Sequence, residues 1–426
     1  MKNKKLFFIL LLALCLPLKI YFIVKNNPDL KFLADDQRNY TIAQNHALGK
    51  GYGIYNPMVH RYELSAFHTS STIFLYEFLI KHQVSQRTIV FVFYILSTIL
   101  YLFGIFYLYR VLTLLELSTW MVYAFTAVFA LYPSVLNAMG STYRVDPLVM
   151  PLHVINFYYL LQWVKNRTLI VRTCIFLTIS ITFCCFFRTQ TIPIYFFTGC
   201  FLLFLYIKDR RTTKPVNNTI LYFLATLVLT ISIAFIPVLI KNKKMFGAYI
   251  ISTQTGFELL HGHNPINNGN WEISSPGDPL DKYVHEKIPD IEKLDEYAES
   301  KARAQLAKEW IRENPGKELY YIVEKLARYF VPRNDITPTK PLFKYHPATG
   351  CIHLLFLATI IVSLFKDRRF LFSREMGLLL IPVAASLLLT VVFFFNFKIR
   401  YNAEPFMIII AAYGVNRYLK SSKLIS

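Results

Sequence analysis

Two neighbouring carboxylates, Asp35 and Asp36, open the polar stretch LADDQRNYTIAQNHALGKGYG. On a helix, Asp36, Tyr40 and Ala43 stand at i, i+4 and i+7 and share one face. Either aspartate could cap the helix by accepting from its free backbone N–H groups. Only one can do so, which leaves the other available to take up a proton. A further acid, Asp146, lies in GSTYRVDPL, where Asp before Pro also reads as a plain helix start. Four cations complete the set: Arg144 beside Asp146, Arg188 in FFRTQTIP, and Lys398 with Arg400 in NFKIRYNAEP. A carboxylate base together with fixed cations is the equipment for deprotonating a hydroxyl while stabilising an anion, and the planar guanidinium fork holds phosphate oxygens bidentately.

Those residues must be positioned by a chain of unusual composition. Of 426 residues, 54% are hydrophobic and 17% charged, against about a quarter charged in an ordinary soluble protein. About ten apolar runs approach the roughly 20 residues that a spanning helix needs. They are 6–24, 86–109, 119–138, 147–164, 170–187, 189–207, 218–240, 350–365, 376–397 and 404–419. The expected fold class is therefore an all-α membrane protein of about ten transmembrane helices. Lys and Arg number 46 against 26 Asp and Glu, a net charge of +20. The excess is spread through short gaps between apolar runs, which marks membrane topology and excludes a nucleic-acid partner. All six cysteines fall inside apolar segments and suggest neither a disulfide framework nor a metal site.

MKNKK before the first run resembles a signal peptide without a small-x-small cleavage site, so it reads as an uncleaved anchor with its N-terminus in the cytoplasm. Alternate crossings then put Arg110, Lys165, Arg167, Arg172, Lys208, Arg210, Arg211, Lys366, Arg368, Arg369, Arg374, Arg417 and Lys420 inside, as cytoplasmic loops require. Arg144, Arg188, Lys398 and Arg400 are the exceptions in the short outside loops. One alone could snorkel to lipid headgroups. Four on the face where topology disfavours cations point to a bound anion.

Three regions result: an N-terminal bundle, 1–240, with a first external loop at 25–85; an external helical region at 241–349; and C-terminal spans at 350–426. Within the first loop a helix is expected from Asp36 to Leu48, closed by Gly49. Ser71 to Ile80 is apolar but too short to cross, as suits an interfacial or re-entrant helix. The second loop starts GHNPINNGN and turns helical from about Asp290 to Phe330, with a break at Asn314-Pro315-Gly316. His261 and His263 in LLHGHNP lack accompanying carboxylates and read as loop hydrogen-bonders. No metal site is evident, although one divalent ion between Asp36 and Asp146 stays open. Nor is there a GxxxxGK[ST] cradle for a nucleotide donor.

Four patches resemble the GT-C superfamily of polytopic glycosyltransferases, and in particular the protein O-mannosyltransferases and the lipid A aminoarabinose transferase. They are Asp36-x3-Tyr40-x2-Ala43-x5-Gly49-x-Gly51, GFELLHGHNPINNG at 256–269, AKEWIRENPGKELYYIVEKLARYF at 307–330, and FKIRYNAEP at 397–405. The resemblance implies an external cavity roofed by loops, a polyprenyl-phosphate-linked sugar donor and inversion at the anomeric carbon. It also implies a first-loop catalytic acid, Asp36 with Asp35 as fallback, and places Arg400 and Tyr401 near the donor phosphate. Here Ala66-Phe67-His68-Thr69-Ser70 stands where relatives carry prolines.

The expected function is transfer of a sugar to an acceptor hydroxyl on a glycan, lipid or protein. Asp36 would be the base, Asp146 an orienting or second acid, and Arg144, Arg188, Lys398 and Arg400 the phosphate-binding cations. By analogy with bacterial relatives, the site would face the periplasm from an inner membrane. A transporter or flippase of lipid-linked sugars would instead need internal repeats and midplane charges. A polysaccharide polymerase or ligase would lean on Arg and His in a late loop and would not need Asp36.

Overall fold

The computed structural model describes residues 2–27, 29–32, 34–56, 61–68, 70–132, 135–136, 145–167, 169–211, 218–266, 278–330, 347–395 and 397–421. Of the described residues, 83% are helical. Among the described residues, six helices are long and apolar enough to cross a membrane: Lys4–Lys25, Gln86–Leu114, Thr189–Arg211, Thr219–Phe246, Thr349–Lys366 and Arg374–Val392. They correspond to α1 (Lys2–Asn26), α4 (Gln86–Leu114), α8 (Ile192–Arg211) with the 3-10 turn Thr189–Thr191 before it, α9 (Thr219–Phe246), α14 (Pro347–Lys366) and α16 (Arg374–Val392).

The expected count of ten is not reached by length and composition, for two physical reasons. Two of the runs form shorter helices, α5 (Thr119–Ala130) and α7 (Val171–Phe187). The other two, α6 (Asp146–Asn166) and α18 (Glu404–Ser421), are long enough but sit inside the bundle. Sixteen of the 21 residues of α6 are buried, and so is every residue of α18 from 404 to 412. A helix shielded from lipid by its neighbours can carry polar groups that a lipid-facing one cannot. Hence His153 and Asn156 on α6 and Glu404 and Asn416 on α18 are tolerated, all of them buried. Around these two run the apolar helices, with α4 along α6 and α14 along α18.

The cations assigned to the cytoplasm collect at the far end of α6 from Asp146, roughly 30 Å away along a 21-residue helix. There they pair with acids. Arg167 and Arg374 share the buried Asp209, at 2.8 Å and 2.9 Å. Lys165 meets Glu116 at 2.7 Å, and Arg417 meets Asp367 at 2.9 Å.

The segment expected as the first external loop contains α2 (Ala34–Ala47), a hairpin of β1 (Gly53–Asn56) and β2 (Arg61–Leu64), and α3 (Ser70–Lys81). The all-α class holds, and the hairpin is a small addition to it: Gly53 pairs with Leu64 and Ile54 with Glu63 in antiparallel register. Gly49 closes α2 with φ of 77°, a left-handed cap that suits glycine. In the second loop, α10 (Gln254–Gly262) and α11 (Pro279–Lys287) precede α12 (Glu296–Glu313) and α13 (Pro315–Phe330). The break expected at Asn314 is present, and Asp295 caps α12 by accepting from Ala298 N at 2.7 Å. Gly256 of α10 packs where a Cβ would stand 1.8 Å from the Ser300 carbonyl oxygen, so only glycine lets α10 close on α12. Remaining are the one-turn α15 (Arg368–Leu371) and α17 (Phe397–Tyr401).

Candidate active site

Neither Asp35 nor Asp36 is a helix cap. Helix α2 begins one residue earlier, at Ala34, and both acids lie in its first turn, where the helix dipole favours negative charge. Asp36 points inward and is buried, and the Tyr76 hydroxyl of α3 donates to its Oδ1 at 3.5 Å. Burial, the Asp36 charge and this hydrogen bond all keep the Tyr76 phenol well above its ordinary pKa. Tyr40 is on the same face but works differently: its ring packs with Phe32 at 4.9 Å and Tyr76 at 6.0 Å in an apolar cluster beneath the acid. Asp35 looks outward, with Oδ1 3.7 Å from His68 Nε2.

Asp146 is not a cap either. The N-cap of α6 is Val145, and the Asp146 carboxylate instead meets Arg188, Nε to Oδ1 at 2.9 Å. Arg188 occupies the C-cap of α7, so the sequence-predicted acid and cation are joined across two helix ends. Tyr401, at the end of α17, is buried within electrostatic reach of Asp146. Arg400 beside it is fully buried. Its Nε donates to Glu404 Oε1 at 2.9 Å and its Nη1 to the Tyr329 carbonyl at 3.0 Å. Arg144 lies outside the described residues, as does the side chain of Lys398.

His68, which sequence reasoning passed over, connects the first loop to the Asp146–Arg188 pair. Its imidazole lies within electrostatic reach of Arg38, Arg188 and Glu296 and is hydrogen-bonded to Gln254 of α10. Burial, reinforced by the two arginines, pushes it down to about 3, so the ring is neutral at physiological pH. Glu296 then fastens the two loops together. It accepts from Ser65 Oγ and Ala66 N, both at 2.7 Å, from Arg38 at 3.1 Å, and from Thr253 Oγ1. Thr253 N also donates to the Ala66 carbonyl at 3.0 Å.

The GFELLHGHNP segment bears on the site from above. His263 makes hydrogen bonds, as expected, with Glu318 of α13 at 2.7 Å and the Val392 carbonyl at 2.8 Å. Lys325 of α13 donates to the Phe393 carbonyl at 2.9 Å and to that of Val391 at 3.3 Å. These are the otherwise orphaned carbonyls at the end of α16, satisfied here by cationic and imidazole donors from another loop. A Cβ on Gly262 would stand 1.5 Å from the Phe393 oxygen, so glycine is needed for this approach. The latch fixes Phe393, and Phe393 lines a cavity of 190 Å³ with Thr189, Gln190, Ser252, Gln254, Thr255, Glu258, Leu389 and Ile399. His261 is buried in the same segment and pushed down to about 4 by desolvation. Among the described residues, no three His, Cys, Asp or Glu side chains gather as metal ligands.

A carboxylate can take a proton from a nucleophilic hydroxyl, and a guanidinium such as that of Arg188, held by Asp146 at 2.9 Å, can stabilise an anionic leaving group. No family model matches the chain, and no curated protein matches it. Solved structures do, among them the following three. The Archaeoglobus fulgidus oligosaccharyltransferase in complex with Zn and sulfate aligns at 13% identity and a TM-score of 0.52, over 97% of this chain and 50% of that one. The archaeal oligosaccharyltransferase AglB from Archaeoglobus fulgidus, with an inhibitory peptide and a dolichol-phosphate, aligns at 12% and 0.50, over 99% and 51%. The apo form of the Archaeoglobus fulgidus enzyme aligns at 12% and 0.53, over 98% and 51%. This chain thus spans about half the length of the structures it matches. At such identity the likeness is one of fold alone.

Proposed function

We propose that this protein is a glycosyltransferase that moves a sugar from a polyprenyl-phosphate carrier to an acceptor hydroxyl on the extracytoplasmic face, inverting the anomeric carbon. The acceptor oxygen loses its proton to the Asp36 carboxylate and bonds to the anomeric carbon. The bond from that carbon to the phosphate oxygen breaks, and polyprenyl phosphate departs with the electron pair. Arg188, oriented by Asp146, faces the charge that develops on the leaving phosphate. Arg144 and Lys398 are assigned as further cations for that phosphate, and the buried Arg400 with Tyr401 as groups that support its charge. The loop at 25–85 carries the base, 241–349 forms the roof, and 350–426 returns the Arg400 segment to the site.

One observation carries this reading: the first-loop acid Asp35 lies 3.7 Å from His68, and His68 is within electrostatic reach of Arg188, the cation paired with Asp146 at 2.9 Å. The fold shared with oligosaccharyltransferases, one of them in complex with a dolichol-phosphate, supports the donor class. A periplasm-facing site in a bacterial inner membrane and a glycan, lipid or protein acceptor complete the proposal, and no metal is assigned a role. Purified protein incubated with polyprenyl phosphates bearing glucose, mannose, galactose, xylose or N-acetylglucosamine should release sugar from at least one of them in the presence of a hydroxylated acceptor. Release from none of them, by folded protein, would count against it.

A further inference from the structure

The cavity between the turn Thr189–Thr191, α10, the end of α16 and α17 has a lining of definite chemistry. No Lys or Arg is among the lining residues, so a phosphate would find no counter-charge there. What the walls offer is hydrogen-bond acceptance. Glu258 is a carboxylate, and Gln190 Oε1 is buried with no hydrogen-bond partner among the described residues. A buried acceptor left unmatched is destabilising, a cost that a ligand donating O–H groups removes. Thr189, Ser252 and Thr255 add hydroxyls, while Leu389, Phe393 and Ile399 make an apolar wall. At 190 Å³ the space falls below the roughly 300–1,000 Å³ of pockets for drug-sized ligands.

Chain position ties the cavity to the chemistry. Thr189 and Gln190 directly follow Arg188, Ile399 precedes Arg400, and Gln254 is hydrogen-bonded both to His68 and to Glu258. We propose that this cavity is the subsite for a single sugar ring of the donor, with Gln190 and Glu258 accepting from its hydroxyls and Phe393 packing against its C–H face. The proposal rests on the glycosyltransferase reading above and adds to it the groups that choose the sugar. Arg188, one residue away in the chain, then lies on the phosphate side of the ring, and the lipid tail leads away from it.

The test is hydrogen–deuterium exchange of full-length protein in detergent, with each polyprenyl-phosphate sugar of the panel and with bare polyprenyl phosphate. Segments 189–192 and 252–260 should be protected by at least one sugar-bearing lipid and not by the bare phosphate. Equal protection by both, or protection by none, would overturn the subsite. Protection without any sugar release would leave the subsite standing and sink the transferase reading instead. As a second measurement, Gln190→Met keeps the side-chain volume and removes the acceptor. Its kcat/KM for the best donor should fall roughly tenfold, and it should lose the wild type's discrimination against monodeoxy analogues of that donor. Unchanged discrimination would also overturn the proposal.

Discussion

Arg188 and Asp146 form an ion pair, Nε to Oδ1 at 2.9 Å, with side chains 19% and 4% exposed. Asp146 is the first residue of α6 and Arg188 the C-cap of α7, so each charge also sits at the helix end whose dipole favours it. The pair is therefore held by both neighbours, and it presents a guanidinium of fixed orientation to whatever occupies the mouth.

Removing one member strands the other. Asp146→Asn should lower stability by about 3 kcal/mol, because a buried charge loses its partner, and should abolish transfer. The double variant Asp146→Leu with Arg188→Met should recover most of the stability and none of the activity. Thermal unfolding beside a transfer assay separates the two effects.

Lys325 and His263 hold the second loop onto the end of α16. Replacing Lys325 by Met leaves the Phe393 and Val391 carbonyls without that donor, at a cost of about 1–3 kcal/mol. The expected result is local: limited proteolysis within 254–330 should speed up while the thermal midpoint of the bundle shifts little. A uniform loss of bundle stability would show that the latch is not a local fastening.

His68 gives the first loop an acid sensitivity of definite sign. Its pKa in the fold is about 3 against an ordinary 6.5, with burial the main cause. Between those values the unfolded chain binds a proton that the folded one does not, so stability is full above pH 6.5 and falls as the pH drops toward 3. His68→Gln should flatten that limb in unfolding curves taken from pH 7 to pH 4. Nor should the wild-type pH–rate profile carry a His68 ionisation near 6.5.

Local pattern was legible in the sequence; long-range partnership was not. Helix α2 with its Gly49 cap, the break at Asn314 and six of the spans follow from periodicity and turn chemistry that act over a few residues. The two acids and Arg188 were singled out by type and placement. That Arg188 belongs to Asp146, 42 positions earlier, depends on how α6 and α7 pack, which no local signal encodes. The Arg400–Glu404 pair was in principle readable from its i, i+4 spacing. The hairpin escaped because strands of four residues are too short for alternation to stand out. Helices α6 and α18 have the length of spans but, buried among other helices, carry polar groups such as His153, Asn156, Glu404 and Asn416 and are not among the six apolar ones. His68, Gln190 and Glu296 carry no motif, and their importance comes wholly from what the fold brings beside them.

The most direct measurement is sugar transfer by Asp36→Asn in proteoliposomes, run beside wild type with the preferred polyprenyl-phosphate donor. The substitution keeps size and a hydrogen-bond acceptor for Tyr76 while removing the proton-accepting charge. The expected result is a loss of transfer of at least about a hundredfold, with membrane insertion and thermal unfolding like those of wild type. Turnover at the wild-type rate by a correctly inserted Asp36→Asn protein would contradict the assignment of the base, and with it the proposed reaction.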